Sequence, residues 1–594
     1  MRSSTVFGPR RPCRGCRFLS VARRTISGVH LFVVDEGEER YSLRARGSAQ
    51  VAGSDMVSAA ELAKRVAELE REHRPRWVFP AAHQVYPVLL RAGVRVDRGH
   101  DLSLVEGLLL AAEGKSGEPK GLAGAWARLK GLEPPPDPPP PHETAQPALF
   151  DARGSGLPPG TRATDAAEAV LDAQERRIAA TPHPERFRLL TAAESASGLA
   201  AAEMAFDGLP WRADVHDQLL TELLGPRVPA GQRPRRLAEL AEEISAAFGG
   251  RPVNPDHPPG VVKAFAHAGI DVPSARAHVL RGVEHPAVAP LLEYKELSRL
   301  HSATGWAWLD TWVRGDRFRP IWVVGGVVSG RWASGGGAAL QIPRTLRVCV
   351  RADPGWKLVV ADAAQLEPRV LTALSGDRRL AEVSGATDLY TSLAEAMFAG
   401  GRTVPGPRSS ELDDRGRAKI AMLSAMYGGT SGEAGPLLAL LRQRFPAAVS
   451  YVEHAALAGE RGERVVSRLG RTSPSPSAAW RALTGDASGS SDARALRAAR
   501  DWGRFTRNFV VQASAADWTA VLIATLRLRL PPPAHLVFFQ HDEVIVHAPE
   551  ELAAAVQTCI TDAVEETSAL VFGASCPVRF PLHISTVDTY ADAK

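Results

Sequence analysis

The stretch LVFFQHDEVIVHAP, residues 536–549, sets His541, Asp542 and Glu543 inside a run that is otherwise mostly aliphatic and aromatic. Val, Ile and Phe on both sides suit the pleated surface of a strand. The pattern therefore reads as strand, tight turn, strand, with the charges at the tip of a hairpin. Taken alone, such a tip is what a solvated turn looks like, because short polar side chains satisfy turn backbone. Two other stretches change that reading.

In WKLVVADAAQLEPRVLTALSGD, residues 356–377, an apolar strand runs into Asp362 and a helix begins near Gln365. Asp362 and Gln365 have capping-box spacing, so a plain helix cap is the structural alternative for Asp362. Glu367 and Arg369 follow in the first turn, where Pro368 is tolerated because the N–H it lacks has no helical partner there. In RGRAKIAMLSAMYGG, residues 415–429, Arg415, Lys419, Leu423 and Tyr427 stand four apart. Each such step overshoots a helical turn by about 40°, giving a slanting stripe about 120° wide on one face. A solvated charged face beside core-facing Leu and Tyr would look similar. Against that reading, lysine is scarce at nine residues beside 62 arginines, and tyrosine at seven, so this placement is hard to reach by chance.

With 594 residues, 45% hydrophobic and 23% charged, the chain has ordinary globular composition and room for several domains. It shows no uninterrupted apolar run of bilayer length and no secretory signal order, so no membrane is expected and the location is read as cytoplasmic. Cys13 and Cys16 form a lone CxxC with no second pair to complete a zinc site, and Cys349, Cys559 and Cys576 read as buried thiols. The net charge of +5 is misleading, because residues 1–24 hold seven arginines and no acid, leaving the remainder near −2. Any nucleic-acid groove must be local.

Along the chain, residues 1–27 read as a basic disordered leader and 28–115 as a small α/β domain, with HLFVVD and RWVF as strands. Residues 116–164 contain LEPPPDPPPPHE and GSGLPPG and read as a Pro/Gly-rich linker. Helical periodicity dominates 165–318, with no strong strand until RPIWVVGGVV. Strands and helices then mix, including a long helix near 492–528.

Together the three opening stretches resemble motifs A, B and C of the family A DNA polymerases, the group of bacterial DNA polymerase I. Motif A is carried by Asp362, Gln365, Glu367 and Arg369, motif B by Arg415, Lys419, Tyr427 and Gly428, and motif C by His541, Asp542 and Glu543. SGRWAS with LQIPR resembles the family's segment at Arg331, Gln341, Ile342 and Pro343, and RFTRNFVVQASAAD its helix at Arg504, Asn508, Gln512 and Asp517. The resemblance implies an α+β right-hand polymerase: a palm with an antiparallel sheet, helical fingers and thumb, preceded by a small α/β exonuclease-like domain. It places the thumb within 165–318, the palm in 319–370 and 491–594, and the fingers in 371–490.

What it implies chemically is template-directed addition of deoxynucleotides to a primer 3′ end, by a monomer acting on primer-template DNA and dNTPs. Two Mg2+ ions would stabilise the attacking and leaving oxygens, which calls for converging carboxylates. Asp362 and Asp542 are implied as metal ligands, with Glu543 and Lys419 completing the catalytic set. Arg415 and Lys419 would neutralise the triphosphate, while Tyr427, Leu423, Gln365, Glu367 and Tyr390 would surround the nucleotide. Arg331, Gln341, Arg504, Asn508, Gln512 and His541 would touch DNA.

Besides the one residue that LQIPR lacks relative to the family's Leu-Gln-Asn-Ile-Pro, the sequence departs from the family in two places. Leu423 stands where an aromatic residue is usual, as in single-subunit RNA polymerases, although Glu367, a steric gate toward the 2′ carbon in DNA-making members, argues for DNA. The unit at 28–115 aligns loosely with the family's 3′→5′ exonuclease but lacks its carboxylate pattern: Asp35 has no Asp-x-Glu spacing, and Pro80 and Gln84 or His83 replace an Asn and an Asp. Proofreading is therefore expected to be absent. A non-catalytic DNA-binding relative and a nuclease acting through the N-terminal unit are the readings from other classes.

Overall fold

Leu31, Phe32, Val33 and Val34 are buried on both faces of strand β1 (His30–Gly37), as expected for a central strand covered on both sides. The computed structural model describes residues 29–37, 39–46, 56–138, 156–229, 231–335, 341–399, 413–429, 432–485 and 493–593. Around β1 lie β2 (Arg40–Ala45), β3 (Met56–Ser58), β4 (Arg76–Phe79) and β5 (Arg98–Asp101), in the order β3-β2-β1-β4-β5. β1 pairs antiparallel with β2 and parallel with β4.

One face packs Val33, Trp77 and Phe79 against α1 (Ala59–His73), α2 (Ala82–Arg91) and Leu199 of α4 (Pro184–Asp207). The other packs Phe32, Val34 and Val78 against Ala167, Val170 and Leu171 of α3 (Ala163–Ala179). Ser58 caps α1 by accepting the Glu61 N–H at 3.4 Å. The segment read as linker over 116–164 is not wholly irregular. Helix Leu122–Leu129 lies within it and buries Ala125 on the second sheet face. Residues 139–155 of that segment, and the leader with Cys13 and Cys16, lie outside the described residues.

The same compact unit, which holds residues 1–206, 322–333 and 359–586, contains most of a second sheet. Its order is β7-β8-β6-β9, from β6 (Trp356–Ala363), β7 (His535–Gln540), β8 (Glu543–Pro549) and β9 (Leu582–Val587). The same unit holds α5 (Leu366–Ser375), α6 (Leu389–Phe398), α7 (Asp414–Tyr427), α8 (Pro446–Glu460), the 37-residue α9 (Ala493–Arg529) and α10 (Ala553–Phe572). α9 contains a window apolar enough to cross a bilayer, which the reading for uninterrupted runs did not register. That window is 94% buried inside the protein, so its apolarity is used in packing.

The second unit, residues 207–321, 334–358 and 587–594, is largely helical. Helix Arg235–Ala247 buries Leu237, Leu240 and Ile244 along one stripe. Trp211 centres an aromatic cluster with Trp308 at 5.4 Å and Phe318 at 5.5 Å between ring centroids. The strand expected in RPIWVVGGVV is confined to Ile321–Val323, because Gly325 and Gly326 turn the chain immediately after it.

The N-terminal sheet is tied to α9 by a buried ion pair. Arg527 donates from Nε and Nη2 to the two Glu203 oxygens at 2.8 and 2.6 Å, and from Nη1 to the Asp97 carbonyl at 2.8 Å. Tyr86 donates its hydroxyl to Glu203 Oε1 at 2.5 Å. Glu203→Ala strands Arg527 in the interior and is expected to cost about 3–5 kcal/mol. The readout is the urea midpoint by circular dichroism; an unchanged midpoint would mean that the pair does not hold these elements together.

Candidate active site

The hairpin turns in two residues, His541 and Asp542, between the paired Gln540 and Glu543. His541 takes a positive φ of 56°, as the first position of a tight hairpin turn demands. Both arms are apolar and buried, and all seven residues of β8 lie inside the protein. The chain therefore has no freedom to withdraw Asp542 from the sheet end. Ala363 at the end of β6 donates its N–H to the Asp542 carbonyl at 3.0 Å, so Asp362 and Asp542 stand at the same end of neighbouring strands, which run about 4.8 Å apart. Asp362 lies inside the strand and does not cap α5. The cap position is Gln365, in the left-handed region with φ 50°. Among the described residues no three His, Cys, Asp or Glu side chains group to hold a metal ion.

Arg331 reaches the site from a short turn that two features hold. Trp322 and Trp332, on either side of it, pack edge-on against Phe538 and Phe539 of β7 at 5.5 and 5.0 Å. Gly330 sits directly on the buried Arg471, with φ 87°, where an added Cβ would come within 2.4 Å of the guanidinium carbon. Arg471 is itself bound to Asp517 at 2.9 Å and Glu194 at 2.8 Å, and Ser467 donates to Asp517 at 2.5 Å. Arg331 thereby forms an ion pair with Glu367 Oε1, while Tyr427 donates its hydroxyl to Glu367 Oε2 at 2.6 Å. Burial and this bond to Glu367 raise the Tyr427 phenol pKa, and burial followed by the Glu367 charge pushes Tyr390 up to about 12. Both phenols stay neutral.

Gln365 and Arg369 fasten the start of α5 to its surroundings. The fully buried Arg369 guanidinium donates to the carbonyls of Ala364 at 2.9 Å, Ala386 at 2.8 Å and Thr387 at 3.0 Å. Gln365 donates to Asp388 at 3.1 Å and accepts the Leu389 N–H at 3.0 Å. Asp388 also accepts from Arg415 Nε at 2.7 Å, and that guanidinium, with Thr391 and the Tyr390 N–H, holds its carboxyl at about 2 despite partial burial.

On α7 the stripe expected from spacing has the expected exposure. Arg415, Lys419 and Tyr427 are exposed and Leu423 is half-buried, while Ala418, Ala421, Met422, Ala425 and Met426 face the core. On α9, Arg504 is exposed and Asn508 and Gln512 are half-buried, although their neighbours Phe509, Val510 and Val511 are buried. The two helices meet at Gly428, whose φ is 76° and whose missing Cβ leaves room for the Arg504 side chain. A cavity of about 230 Å³ opens between these elements, lined by Arg331, Gln365, Glu367, Tyr390, Leu423 and Asp542, with His541 and Ala516 at its wall. Burial, followed by the charge of Arg331, lowers the His541 pKa.

The structure thus gathers seven of the sequence-derived residues around one cavity and sets Asp362 on the adjoining strand. Arg415, Lys419, Arg504, Asn508 and Gln512 lie on the two flanking helices, and Glu543 is buried beneath the tip. Gln341 is exposed and belongs to the second unit. Sequence reasoning missed Asp388, and it marked Asp517 without the Glu194 and Arg471 partners of its network. Asp388 precedes a helix like any N-cap, and network partners 46 and 277 positions from Arg471 leave no local pattern.

The family described as DNA polymerase family A matches residues 234–590. The thermostable DNA polymerase I of Thermus filiformis is 28% identical over 315 residues, which is 49% of this chain and 35% of that protein. DNA polymerase I of Chloroflexus aurantiacus is 27% identical over 357 residues, 53% of this chain and 36% of the relative. This chain spans about a third of the length of these relatives. Among solved structures, the POL domain of Pol1 from M. smegmatis, in complex with DNA primer-template and dNTP, shares the fold. The TM-score is 0.66 over 97% of this chain and 98% of that one, at 17% identity.

Gly330→Ala combines a disfavoured φ with a clash against a guanidinium that cannot move. The expected cost is about 2–4 kcal/mol, measured as a lowered melting midpoint. Wild-type stability would show that the turn does not rest on Arg471.

Proposed function

The chain belongs to DNA polymerase family A, and from that membership we propose that it extends a primer on a DNA template with dNTPs. The observation that supports the proposal most is the backbone hydrogen bond from Ala363 to Asp542, which joins the cavity-lining Asp542 to the strand end that carries Asp362. Family A polymerases are metal-dependent, and the paired hard-oxygen donors fit two Mg2+ ions. Bound there, the ions would lower the charge barrier at the attacking 3′ oxygen and the leaving pyrophosphate.

The chain's own groups bind and orient. Lys419 and Arg415, exposed one turn apart on α7, meet the negative triphosphate. Glu367, gripped by Arg331 and Tyr427, fills the volume beside the sugar and excludes a 2′ hydroxyl sterically. Leu423 and Tyr390 supply apolar wall to the base and sugar. Arg504, Asn508 and Gln512 track the duplex along α9, reading backbone and groove acceptors common to all base pairs. Specificity then comes from the template.

Proofreading is absent on this reading. Glu36, next to Asp35 on β1, accepts from Ser42 at 2.7 Å and from the Ala163 and Thr164 N–H groups at 3.1 and 3.2 Å, which engages it structurally at the start of α3.

A labelled primer-template with Mg2+ and four dNTPs tests the activity. Extension is expected, with losses of several orders of magnitude in Asp362→Ala or Asp542→Ala and largely unchanged DNA affinity. Without dNTPs a mismatched primer should keep its length. Wild-type extension by either variant would sink the assignment, and metal-dependent shortening would sink the claim about proofreading.

Sugar choice is a separate test. Incorporation of dCTP should exceed that of rCTP, and the preference should collapse in Glu367→Ala, where the filled volume is gone. Equal use of both nucleotides by the unaltered protein would favour an RNA polymerase-like activity.

A further inference from the structure

Five donors converge on the carboxylate of Asp388, which the family motifs read above do not include. Oδ1 accepts from Gln365 Nε2 at 3.1 Å, the Tyr390 N–H at 3.2 Å and Arg415 Nη2 at 3.4 Å. Oδ2 accepts from the Thr391 hydroxyl at 2.6 Å and Arg415 Nε at 2.7 Å. The carboxylate therefore joins the residue that opens α5, the first turn of α6 and the first turn of α7.

We infer that Asp388 is a positioning residue for the incoming nucleotide. Its side-on grip fixes the Arg415 guanidinium, so that the donors left over are held ready for the triphosphate. This rests on the reading of the chain as a polymerase. The grip uses the Nε edge, one N–H from Nε and one from Nη2. Both Nη1 N–H groups and the second on Nη2 remain, a fork suited to phosphate oxygens. The Tyr390 ring, whose centroid lies 5.8 Å from the guanidinium carbon, restrains the same group from a second side. Tyr390 in turn lines the cavity.

Stability is a poor explanation for the pair. The Arg415 and Asp388 side chains are 46% and 37% exposed, and pairs so open to water add little to folding. Orientation is a better one. An ungripped arginine spreads over many rotamers, and the nucleotide would have to bear the cost of ordering it. The carboxylate charge acts the other way, since it opposes the triphosphate. At an exposed site in water that repulsion is weak, so ordering should prevail.

Asp388→Asn separates these roles. The amide oxygen can still accept the Tyr390 N–H, because Asn caps helices as well as Asp does, but the amide nitrogen then confronts Arg415 Nε donor to donor and the grip is lost. The expected result is a KM for dNTP raised about tenfold with kcat changed much less, and with primer-template affinity and melting midpoint unaltered. In an Arg415→Ala background the same substitution should add almost nothing. A KM within twofold of wild type would reduce Asp388 to a helix cap, and a lowered KM would make it a competitor of the triphosphate; either overturns the inference. Should Asp388→Asn not fold, Arg415→Lys carries the test, since lysine keeps the charge but cannot be gripped side-on, and an unchanged KM there is equally fatal. If the unaltered protein fails to extend a primer, the polymerase reading itself fails. Extension by the unaltered protein with no KM effect in the variants removes this inference alone.

Discussion

A single guanidinium, that of Arg471, is what the working face of this protein is built around. It is buried between Glu194 of α4 and Asp517 of α9, with Ser467 completing the bonds to Asp517. A charge in that position is tolerable only because both carboxylates are in place and their remaining lone pairs are largely met. Since neither helix can shift without unpairing a buried charge, the group sets where α4 and α9 lie relative to each other. The turn that carries Arg331 is then laid on top of it through a glycine, the one residue that can come so close. Arg331, Glu367 and Tyr427 follow in a chain of contacts from that base.

The same logic, apolar arms holding polar ends, recurs at each part of the site. Asp542 reaches the cavity because the strands on both sides of it are buried, and Asp362 is fixed on the adjoining strand because Leu358 to Ala361 are buried. On α7 and α9 the polar residues occupy the narrow strip that packing leaves free, at four-residue spacing. What positions each functional group is the burial of its neighbours along the chain. Its own hydrogen bonds then choose among the few orientations left, as Arg331 and Tyr427 do for Glu367.

The N-terminal sheet is joined to this arrangement through its own acids. Glu36 holds the start of α3, Asp101 caps the helix that follows β5 through the Leu104 N–H at 2.9 Å, and Glu203, next to that sheet on α4, receives Arg527 from α9. Carboxylates around this small α/β domain are thus spent on holding elements together, and the domain serves as a buttress for the long helix.

Much of this was legible in the amino-acid order alone, because it depends on neighbours in sequence. Alternating or continuous apolar runs marked β1, β6 and the hairpin, four-residue spacing marked the face of α7, resemblance to the family marked Arg504, Asn508 and Gln512 on α9, and Asp362, Lys419, Tyr427 and Asp542 stood out by type and spacing. The sequence also limited the chain's charge to local patches. It could not say whether Asp362 capped a helix or ended a strand, since the spacing serves both. That was decided only when β6 paired with β8 and drew Asp362 beside Asp542. Nor could it show that Leu122–Leu129 would be helical amid prolines, or that Asp388 would hold Arg415. Those outcomes rest on contacts between residues distant in sequence, and local pattern carries no trace of a partner that only folding brings near.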